Sequence, residues 1–173
     1  MEQVILVDED DNEIGTMEKL EAHQAGVLHR AFSVVLFNSQ GEMLIQRRAR
    51  SKYHSAGLWS NACCSHPRPG EPTKDAVVRR LREELGVDTA PEFSFKFKYK
   101  VLFSNDLIEH ELDHVYVGTY DGSPQIDEGE ISEWKYIDPL ELGKQVDENP
   151  EEYSHWFKII LRQPKILELT NAH

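Results

Sequence analysis

The chain has few cysteines, few basic residues for its acidic content, and no long apolar run. Its 173 residues include only 2 cysteines, and these are neighbours, Cys63 and Cys64. Adjacent cysteines cannot form an ordinary structural disulfide with each other. This excludes a disulfide-stabilised scaffold and leaves two reduced thiols as the expectation, with redox switching as the alternative.

No apolar run approaches the ~20 residues needed to span a bilayer, so we expect no membrane partner. The first residues, MEQVILVDEDDNEIG, lack the basic start and small-residue cleavage site of a secretory signal. These features favour a cytoplasmic protein. With 39% hydrophobic residues, the chain can form one globular domain with its own core, and we predict a single domain over residues 1–173.

Basic residues are outnumbered, because 19 lysines and arginines face 31 aspartates and glutamates, for a formal net charge of −12. Binding to a phosphate backbone needs a surplus of positive charge, so nucleic acid is not an expected partner. The basic residues nevertheless form two islands, QRRARSK at 46–52 and RRLR at 79–82. Each island is either a solvated face or part of a pocket for a small polyanion.

Strand and helix patterns are mixed along the chain, which predicts an α+β fold. Two β-prone runs, Ala31–Phe37 and MLIQRR, flank the turn NSQGE and predict a hairpin. Residues 93–103 alternate aromatic and basic side chains, which predicts a strand with Phe93, Phe95, Phe97 and Tyr99 on one face. Residues 108–120 are expected to form the strand beside it.

Two helices are predicted. Thr73–Leu85 has apolar residues every four positions, and Gly86 follows as a C-terminal stop. Near the end of the chain, Asn149 before Pro150 is typical of an N-cap with proline in the first turn. The predicted helix that follows ends before Pro164 and presents an apolar stripe made of Tyr153, Trp156, Phe157 and Ile160.

Strand alternation places Glu109 and Glu111 on one face of their strand, opposite His110. Such a pair is either two solvated glutamates or the acidic half of a site. Val115 and Val117 share the same parity, so this face becomes apolar further along, where like charges raise a pKa or gather a cation.

Three histidines are candidates to complete such a cation site. His23 and His29 flank the segment HQAGVLH, and His66 follows the two cysteines. Taken singly, each is more often a surface or core residue. Together with two carboxylates they make a mixed nitrogen and oxygen site, suited to Mn²⁺, Mg²⁺ or Zn²⁺. Spacing alone does not bring them together.

The longest pattern is SHPRPGEPTKDAVVRRLREELGV, residues 65–87. It resembles the Nudix box, G-x5-E-x7-R-E-U-x-E-E-x-G-U, in which U is a bulky apolar residue. Ser65 stands in place of the leading glycine and Arg80 in place of a glutamate; the matching positions are Glu71, Arg79, Leu81, Glu83, Glu84, Gly86 and Val87. Because Arg80 replaces a carboxylate that could hold a metal, ordinary pyrophosphate hydrolysis is not favoured.

Further stretches point to one branch of the Nudix fold. GTMEKLEAH, LHRAFSVVLFN, RRARSK, GLWSNACCSHPRPGE, EHE and YSHWF occur in that order. Together with the modified box they resemble the type I isopentenyl diphosphate isomerases. The resemblance covers nearly the whole chain and implies a mixed β-sheet flanked by helices, an α/β/α sandwich.

The resemblance also implies roles for individual residues. Cys64, rather than Cys63, is the implied catalytic thiol, and Glu84 helps to hold Mg²⁺ on the substrate diphosphate. One further divalent metal is implied at His23, His29, His66, Glu109 and Glu111. Contacts to the diphosphate are implied for Lys19, Arg48, Lys52 and Arg80.

The chemistry of such an isomerase requires two proton transfers at a small hydrocarbon, with a tertiary carbocation between them. Cys64 on one side, and Glu111 with Tyr99 on the other, meet that need. Trp156 either stabilises the cation through its ring face, at roughly 2 kcal/mol or more when desolvated, or is a core residue. An isoprenoid diphosphate is the expected partner, and a monomer the expected state.

Two rival functions stay open at the level of sequence. A Nudix hydrolase of a nucleoside diphosphate derivative has the same fold and uses Mg²⁺, but Arg80 and Cys64 argue against it. A non-catalytic binding module needs neither the thiol nor the gathered histidines and glutamates.

Overall fold

The computed structural model describes residues 2–171, so residues 1, 172 and 173 of the predicted domain lie outside the described part. Within it are nine strands: β1 Gln3–Val7, β2 Glu13–Glu18, β3 His29–Phe37, β4 Met43–Arg48, β5 Trp59–Asn61, β6 Cys63–Ser65, β7 Glu92–Leu102, β8 Ile108–Thr119 and β9 Ile131–Ile137. The helices are α1 Lys19–Ala25, α2 Thr73–Leu85, α3 Pro139–Glu148, α4 His155–Leu161 and α5 Pro164–Asn171. Among these helices, none has the length and apolar character needed to cross a bilayer.

The strands form one mixed sheet with β3 at its centre. β8 runs parallel to β3 in a register that begins at His29 opposite Glu111. On the other edge of β3, β6 runs antiparallel and places Cys64 opposite Ser33. β7 pairs antiparallel with β8, as predicted. The register of β3 therefore sets where the thiol and the glutamates lie.

Side chains alternate between two cores on the two faces of the sheet. Val35 and Val115 face one core, which α3, α4 and α5 cover, whereas Val34 and Tyr116 face the other, which α2 covers. Burying a large apolar side chain of this kind contributes about 1.5–3 kcal/mol relative to exposure. The mixed sheet between helices confirms the predicted α+β sandwich.

The predicted hairpin of β3 and β4 is wrong beyond its turn. The turn forms, with the Asn38 side-chain oxygen accepting from the Gln40 and Glu42 amides, but the strands pair only where Phe37 lies opposite Met43. Both edges of each strand are occupied by others, since β3 pairs with β6 and β8 while β4 pairs with β5 and β9.

Helix α2 has the predicted bounds. Its residues Val77, Leu81 and Leu85 are fully buried against the sheet. Gly86 adopts a left-handed conformation at φ 61° and donates its amide to the Arg82 carbonyl, which closes the helix.

Two other expectations need correction. A bulge between Phe93 and Phe95 moves Phe93 off the aromatic face of β7, so that its ring contacts Tyr116 on the opposite side of the sheet. The C-terminal helix does not begin at Asn149. Pro150–Glu152 forms a single 3₁₀ turn, Tyr153 is extended, and α4 begins only at His155; Pro164 begins the next helix, α5.

Candidate active site

A cavity of about 660 Å³ opens between the strands at the His29 end of β3 and the C-terminal helices. Most of the residues predicted to act lie on its wall: Lys19, Arg48, Lys52, Cys64, His66, Arg80, Tyr99, Glu109, Glu111 and Trp156. The remaining three, His23, His29 and Glu84, are buried without lining it. The structure thus brings together side chains that are up to 137 positions apart in sequence, from Lys19 to Trp156.

Cys64 presents its thiol to the cavity. The Trp156 indole N–H donates to its Sγ at 2.9 Å, and the thiol donates to Asn61 Oδ1 at 3.1 Å. Burial, followed by the negative charge of Asp113, raises the pKa of Cys64 to about 12, although Arg48 and two hydrogen bonds act in the opposite sense. The thiol therefore keeps its proton near neutral pH.

Cys63 lies on the other side of the strand, as alternation requires. It is fully buried in the core under α2, and its thiol donates to Glu84 Oε2 at 2.7 Å. Of the two cysteines, only Cys64 reaches the cavity.

Tyr99 and Glu111 form a second proton-carrying unit. They are direct partners across β7 and β8, and the Tyr99 hydroxyl donates to Glu111 Oε1 at 2.5 Å. Burial and the charges of Glu109 and Glu111 raise the pKa of Tyr99 well above its usual value, so it stays a neutral phenol. Burial alone would raise the pKa of Glu111, but His66 and His29 hold that pKa well below its usual range.

Cys64 and Glu111 reach the cavity from strands on opposite sides of β3. Their partners on β3 are Ser33 and His29, which share one face of that strand. The flanking strands are two strand spacings apart, about 10 Å. A thiol and a carboxylate therefore border one cavity from two directions.

The predicted metal ligands form a buried cluster. Ligand atoms of His23, His29, His66 and Glu111 all lie within 4.8 Å of one another. Glu109 adjoins them, with its Oε1 3.8 Å from His23 Nε2. Burial, followed by repulsion from Glu111, raises the pKa of Glu109 to about 7.

Two of these histidines are oriented by the backbone. His23 Nδ1 lies 2.7 Å from the Lys19 carbonyl and His29 Nδ1 lies 3.0 Å from the Val27 carbonyl. A carbonyl only accepts, so Nδ1 carries the proton in both rings and the lone pair of Nε2 points into the cluster.

The cluster also contains buried atoms without partners. His23 Nε2 and Glu109 Oε2 make no hydrogen bond, which is costly for buried polar atoms. A divalent cation satisfies such atoms, and nitrogen with carboxylate oxygen is a donor set for Mn²⁺, Mg²⁺ or Zn²⁺. The five predicted residues therefore fit a metal ion.

Part of each basic island lines the cavity and is partly neutralised, whereas Arg50 and Arg82 are exposed. Lys52 Nζ lies 2.6 Å from Glu130 and Lys19 Nζ lies 3.3 Å from Glu2. Arg48 places its guanidinium 5.1 Å above the Trp156 ring. These three side chains therefore line a cavity and do not form a solvated face.

Arg80 and Glu84, which lie one turn apart on α2, are paired with each other. Arg80 Nη2 lies 3.6 Å from Glu84 Oε1, and its Nη1 donates to Glu83 at 2.5 Å. Burial raises the pKa of Glu84. Glu84 therefore has one oxygen on the Cys63 thiol and the other near Arg80.

Trp156 is a core residue that also borders the cavity. It is 2% exposed and packs in the core under α4, yet it also lines the cavity. Its indole N–H is shared between Cys64 Sγ and Asn61 Oδ1.

Sequence reasoning missed several residues of this site. Asp113 shares the parity of Glu109 and Glu111, a signal that could have found it; it is buried, lines the cavity and accepts from Ser33 at 2.7 Å. Asn61 and His54 lie outside any periodic pattern, so no comparable signal marks them.

Comparisons with known proteins agree with this fold. Residues 27–158 match the family model of the NUDIX domain. A crystal structure of DR0079 from Deinococcus radiodurans superimposes with a TM-score of 0.76 at 22% identity, covering 93% of this chain and 98% of that one. A MutT protein from Methanosarcina mazei gives 0.65 at 17% identity, covering 84% and 94%. The fold and the match define a Nudix-domain protein.

Curated relatives identify a particular family within the Nudix-domain proteins. Isopentenyl-diphosphate Delta-isomerase 2 of Aromatoleum aromaticum is 52% identical over 160 residues, which is 92% of this chain and 85% of the relative. Isopentenyl-diphosphate Delta-isomerase of Serratia proteamaculans is 50% identical over 161 residues, 93% and 90% of the two chains. The chain belongs to the isopentenyl-diphosphate Delta-isomerase family.

Proposed function

We propose that this protein is an enzyme that interconverts isopentenyl diphosphate and dimethylallyl diphosphate in isoprenoid biosynthesis. The observation that carries the proposal is the shared cavity, in which the Cys64 thiol and the Tyr99–Glu111 pair border the same space from strands on opposite sides of β3. Double-bond transposition needs two proton-transfer groups at one small hydrocarbon.

The proton steps follow from these positions. A proton added to the terminal carbon of the double bond gives a tertiary cation, and loss of a proton from the carbon nearer the diphosphate gives the allylic isomer. One proton moves through Cys64 and the other through Glu111 with Tyr99. The two sides exchange the donor and acceptor roles between the forward and reverse directions, as microscopic reversibility requires.

The cavity wall also protects the cation. Trp156 presents an aromatic surface to the cavity, which would stabilise the cation. Catalytic roles for Cys64, Glu111 and Tyr99, and a binding role for Trp156, follow from these contacts.

The charged end of the substrate occupies the basic part of the wall. We assign the diphosphate to Lys19, Arg48, Lys52 and Arg80, which all line the cavity. Arg80 thereby binds the anion at a position where the Nudix box has a glutamate. Glu2 and Glu130, which pair with Lys19 and Lys52 in the free protein, give up these partners when the diphosphate binds.

Two metal ions are part of the proposal. His23, His29, His66, Glu109 and Glu111 would hold one divalent ion, Mn²⁺, Mg²⁺ or Zn²⁺, and Glu84 would contribute to Mg²⁺ on the diphosphate. When bound, these ions supply positive charge that changes the proton affinity of Glu111 and neutralises the diphosphate. We further propose a monomer that acts in the cytoplasm without nucleic acid or membrane partners.

Isotope incorporation tests the reaction. Incubation with isopentenyl diphosphate in deuterated water, followed by NMR and mass analysis, should give dimethylallyl diphosphate that carries deuterium. Release of phosphate-containing hydrolysis products without isomerisation would instead support the Nudix hydrolase. Unchanged substrate with the metal-loaded protein would refute the isomerase, and a nucleoside diphosphate derivative in place of isopentenyl diphosphate would then test the hydrolase.

A further inference from the structure

Asn61 lies behind the cavity wall, at the point where β5 leads into β6. It is the last residue of β5 and is fully buried, and it does not line the cavity itself. Its side chain nevertheless contacts two residues that do line the cavity, Cys64 and Trp156. Asn61 can therefore act on a bound molecule only through these other side chains.

The amide group of Asn61 has a fixed orientation. Its Nδ2 donates to the Val34 carbonyl at 3.0 Å and to the Cys63 carbonyl at 2.9 Å. Because a carbonyl only accepts, the nitrogen lies on that side and Oδ1 points towards Cys64 and Trp156. Turning the amide over would set its oxygen against two carbonyl oxygens.

Three donors converge on Asn61 Oδ1. The Cys64 thiol and the Trp156 indole N–H each lie 3.1 Å from it, and the Ser60 hydroxyl lies 2.9 Å from it. An amide oxygen has two lone pairs. Ser60 has a second partner, since its hydroxyl also lies 2.8 Å from the hydroxyl of Ser154. Cys64 and Trp156 can therefore occupy both lone pairs of the oxygen at the same time.

These contacts couple the thiol to the indole ring. Trp156 Nε1 lies 2.9 Å from Cys64 Sγ and 3.1 Å from Asn61 Oδ1, so that the three atoms form a closed triangle. The face of the same ring is held separately, because the Arg48 guanidinium lies 5.1 Å from its centroid. Asn61 fixes the edge of the ring and Arg48 its face, and together they set the plane of the indole.

We propose that Asn61 is the positioning residue for the thiol side of the cavity, where its oxygen holds the Cys64 sulfur and the Trp156 ring in the places from which they act on the hydrocarbon. The inference rests on the proposed isomerase function and adds to it a residue behind the cavity wall. Asparagine suits this position because its side chain combines two donors for the carbonyls with an acceptor for the thiol and the indole.

Steady-state kinetics provide the first test. Asn61→Ala removes the oxygen but leaves the basic wall of the cavity in place, so kcat should fall about 10- to 100-fold, as for a reacting group displaced by about 1 Å, while KM for isopentenyl diphosphate stays within about twofold. Ser154→Ala is the matched control, because it removes a buried hydroxyl of the same cluster that bonds to Ser60; it should keep the wild-type kcat. A wild-type kcat for folded Asn61→Ala, or a rise in KM that matches the fall in kcat, would overturn the inference.

Asn61→Asp separates the oxygen from the two N–H donors and is the second variant if Asn61→Ala does not fold. It keeps an oxygen at Oδ1, and its protonated carboxyl group donates one hydrogen bond in place of two. It should unfold at a lower temperature than the wild type and yet keep kcat within about tenfold of the wild-type value. A larger loss of kcat in the folded variant would overturn the inference, because the oxygen would then not be the group that acts.

The indole N–H resonance of Trp156 provides a test that needs neither activity nor a change at Asn61. The chain has 3 tryptophans, and the signal of Trp156 is assigned by its absence in Trp156→Phe. In Cys64→Ala, Asn61 Oδ1 is the remaining acceptor of this N–H, so the signal should keep its hydrogen-bonded position and its slow exchange with solvent. A signal at the position of a free indole would overturn the inference. Absence of isomerisation in the wild type would instead refute the proposed function, whatever the position of this signal.

Discussion

The two adjacent cysteines should respond to alanine substitution in opposite ways. Cys64 lines the cavity, so Cys64→Ala should lower the isomerisation rate by at least about 100-fold, the lower end of what a general acid or base contributes. Stability should change by less than about 1 kcal/mol, the size of one typical hydrogen bond. The reason is that the Trp156 N–H keeps Asn61 Oδ1 as an acceptor at 3.1 Å.

Cys63→Ala should leave most of the activity but lower stability. It removes the donor, at 2.7 Å, from a Glu84 carboxylate that is 4% exposed. An unsatisfied buried acceptor costs about 1–3 kcal/mol. Since 1 kcal/mol shifts the melting temperature of a chain of this size by about 2–4 °C, we expect a decrease of about 2–12 °C.

Deuterium incorporation from labelled water measures the rate for each variant, and thermal unfolding followed by circular dichroism measures stability under the same conditions. Cys64→Ser, which keeps a hydroxyl of similar size, serves as the matched variant for packing. The reasoning fails if Cys64→Ala keeps more than a tenth of wild-type turnover. It fails equally if folded Cys63→Ala is inactive while Cys64→Ala is not.

Three further predictions test other parts of the site. Tyr99→Phe removes the hydroxyl 2.5 Å from Glu111 and should lower kcat by about 100-fold with KM nearly unchanged, as steady-state kinetics will show. Arg80→Glu restores the glutamate of the Nudix box. It should raise KM for the diphosphate substrate at least tenfold, and a phosphate-release assay should detect no hydrolase activity. Removal of metal with a chelator should abolish activity and lower the melting temperature, since an ion at 100 times its Kd adds about 2.7 kcal/mol; full activity after verified metal removal would contradict the metal proposal.

Local periodicity correctly predicted elements that keep one face buried along their whole length. Helix α2 buries Val77, Leu81 and Leu85 against one sheet face, so its bounds are evident from a repeat of four. The parity of Glu109 and Glu111 likewise follows from strand geometry alone, and both side chains are buried on the predicted face. Asp113 is the next residue on the same face of this strand, but the prediction did not include it.

Long-range pairing was not predictable from local patterns. The parallel register that sets His29 opposite Glu111 joins residues 82 positions apart, and no turn or spacing specifies it. The hairpin was predicted from the turn at Asn38, but competition from β6 and β8 for the edges of β3 decides the outcome. The stacking of His54 on Phe103 likewise joins two loop residues that no local pattern pairs.

The Nudix box and the cysteine segment therefore carry different information: the box mainly concerns the fold, and the cysteine segment concerns the site. In the box, Arg79 binds Glu71 through two hydrogen bonds of 2.8 and 2.9 Å and fixes the loop to α2. Leu81 and Val87 are fully buried, so much of the box specifies the fold. In the cysteine segment, Cys64 and His66 are two positions apart, so both side chains face the cavity. That spacing links the proposed proton-transfer thiol to the proposed metal site, which is why this short segment indicates the reaction more specifically than the longer box.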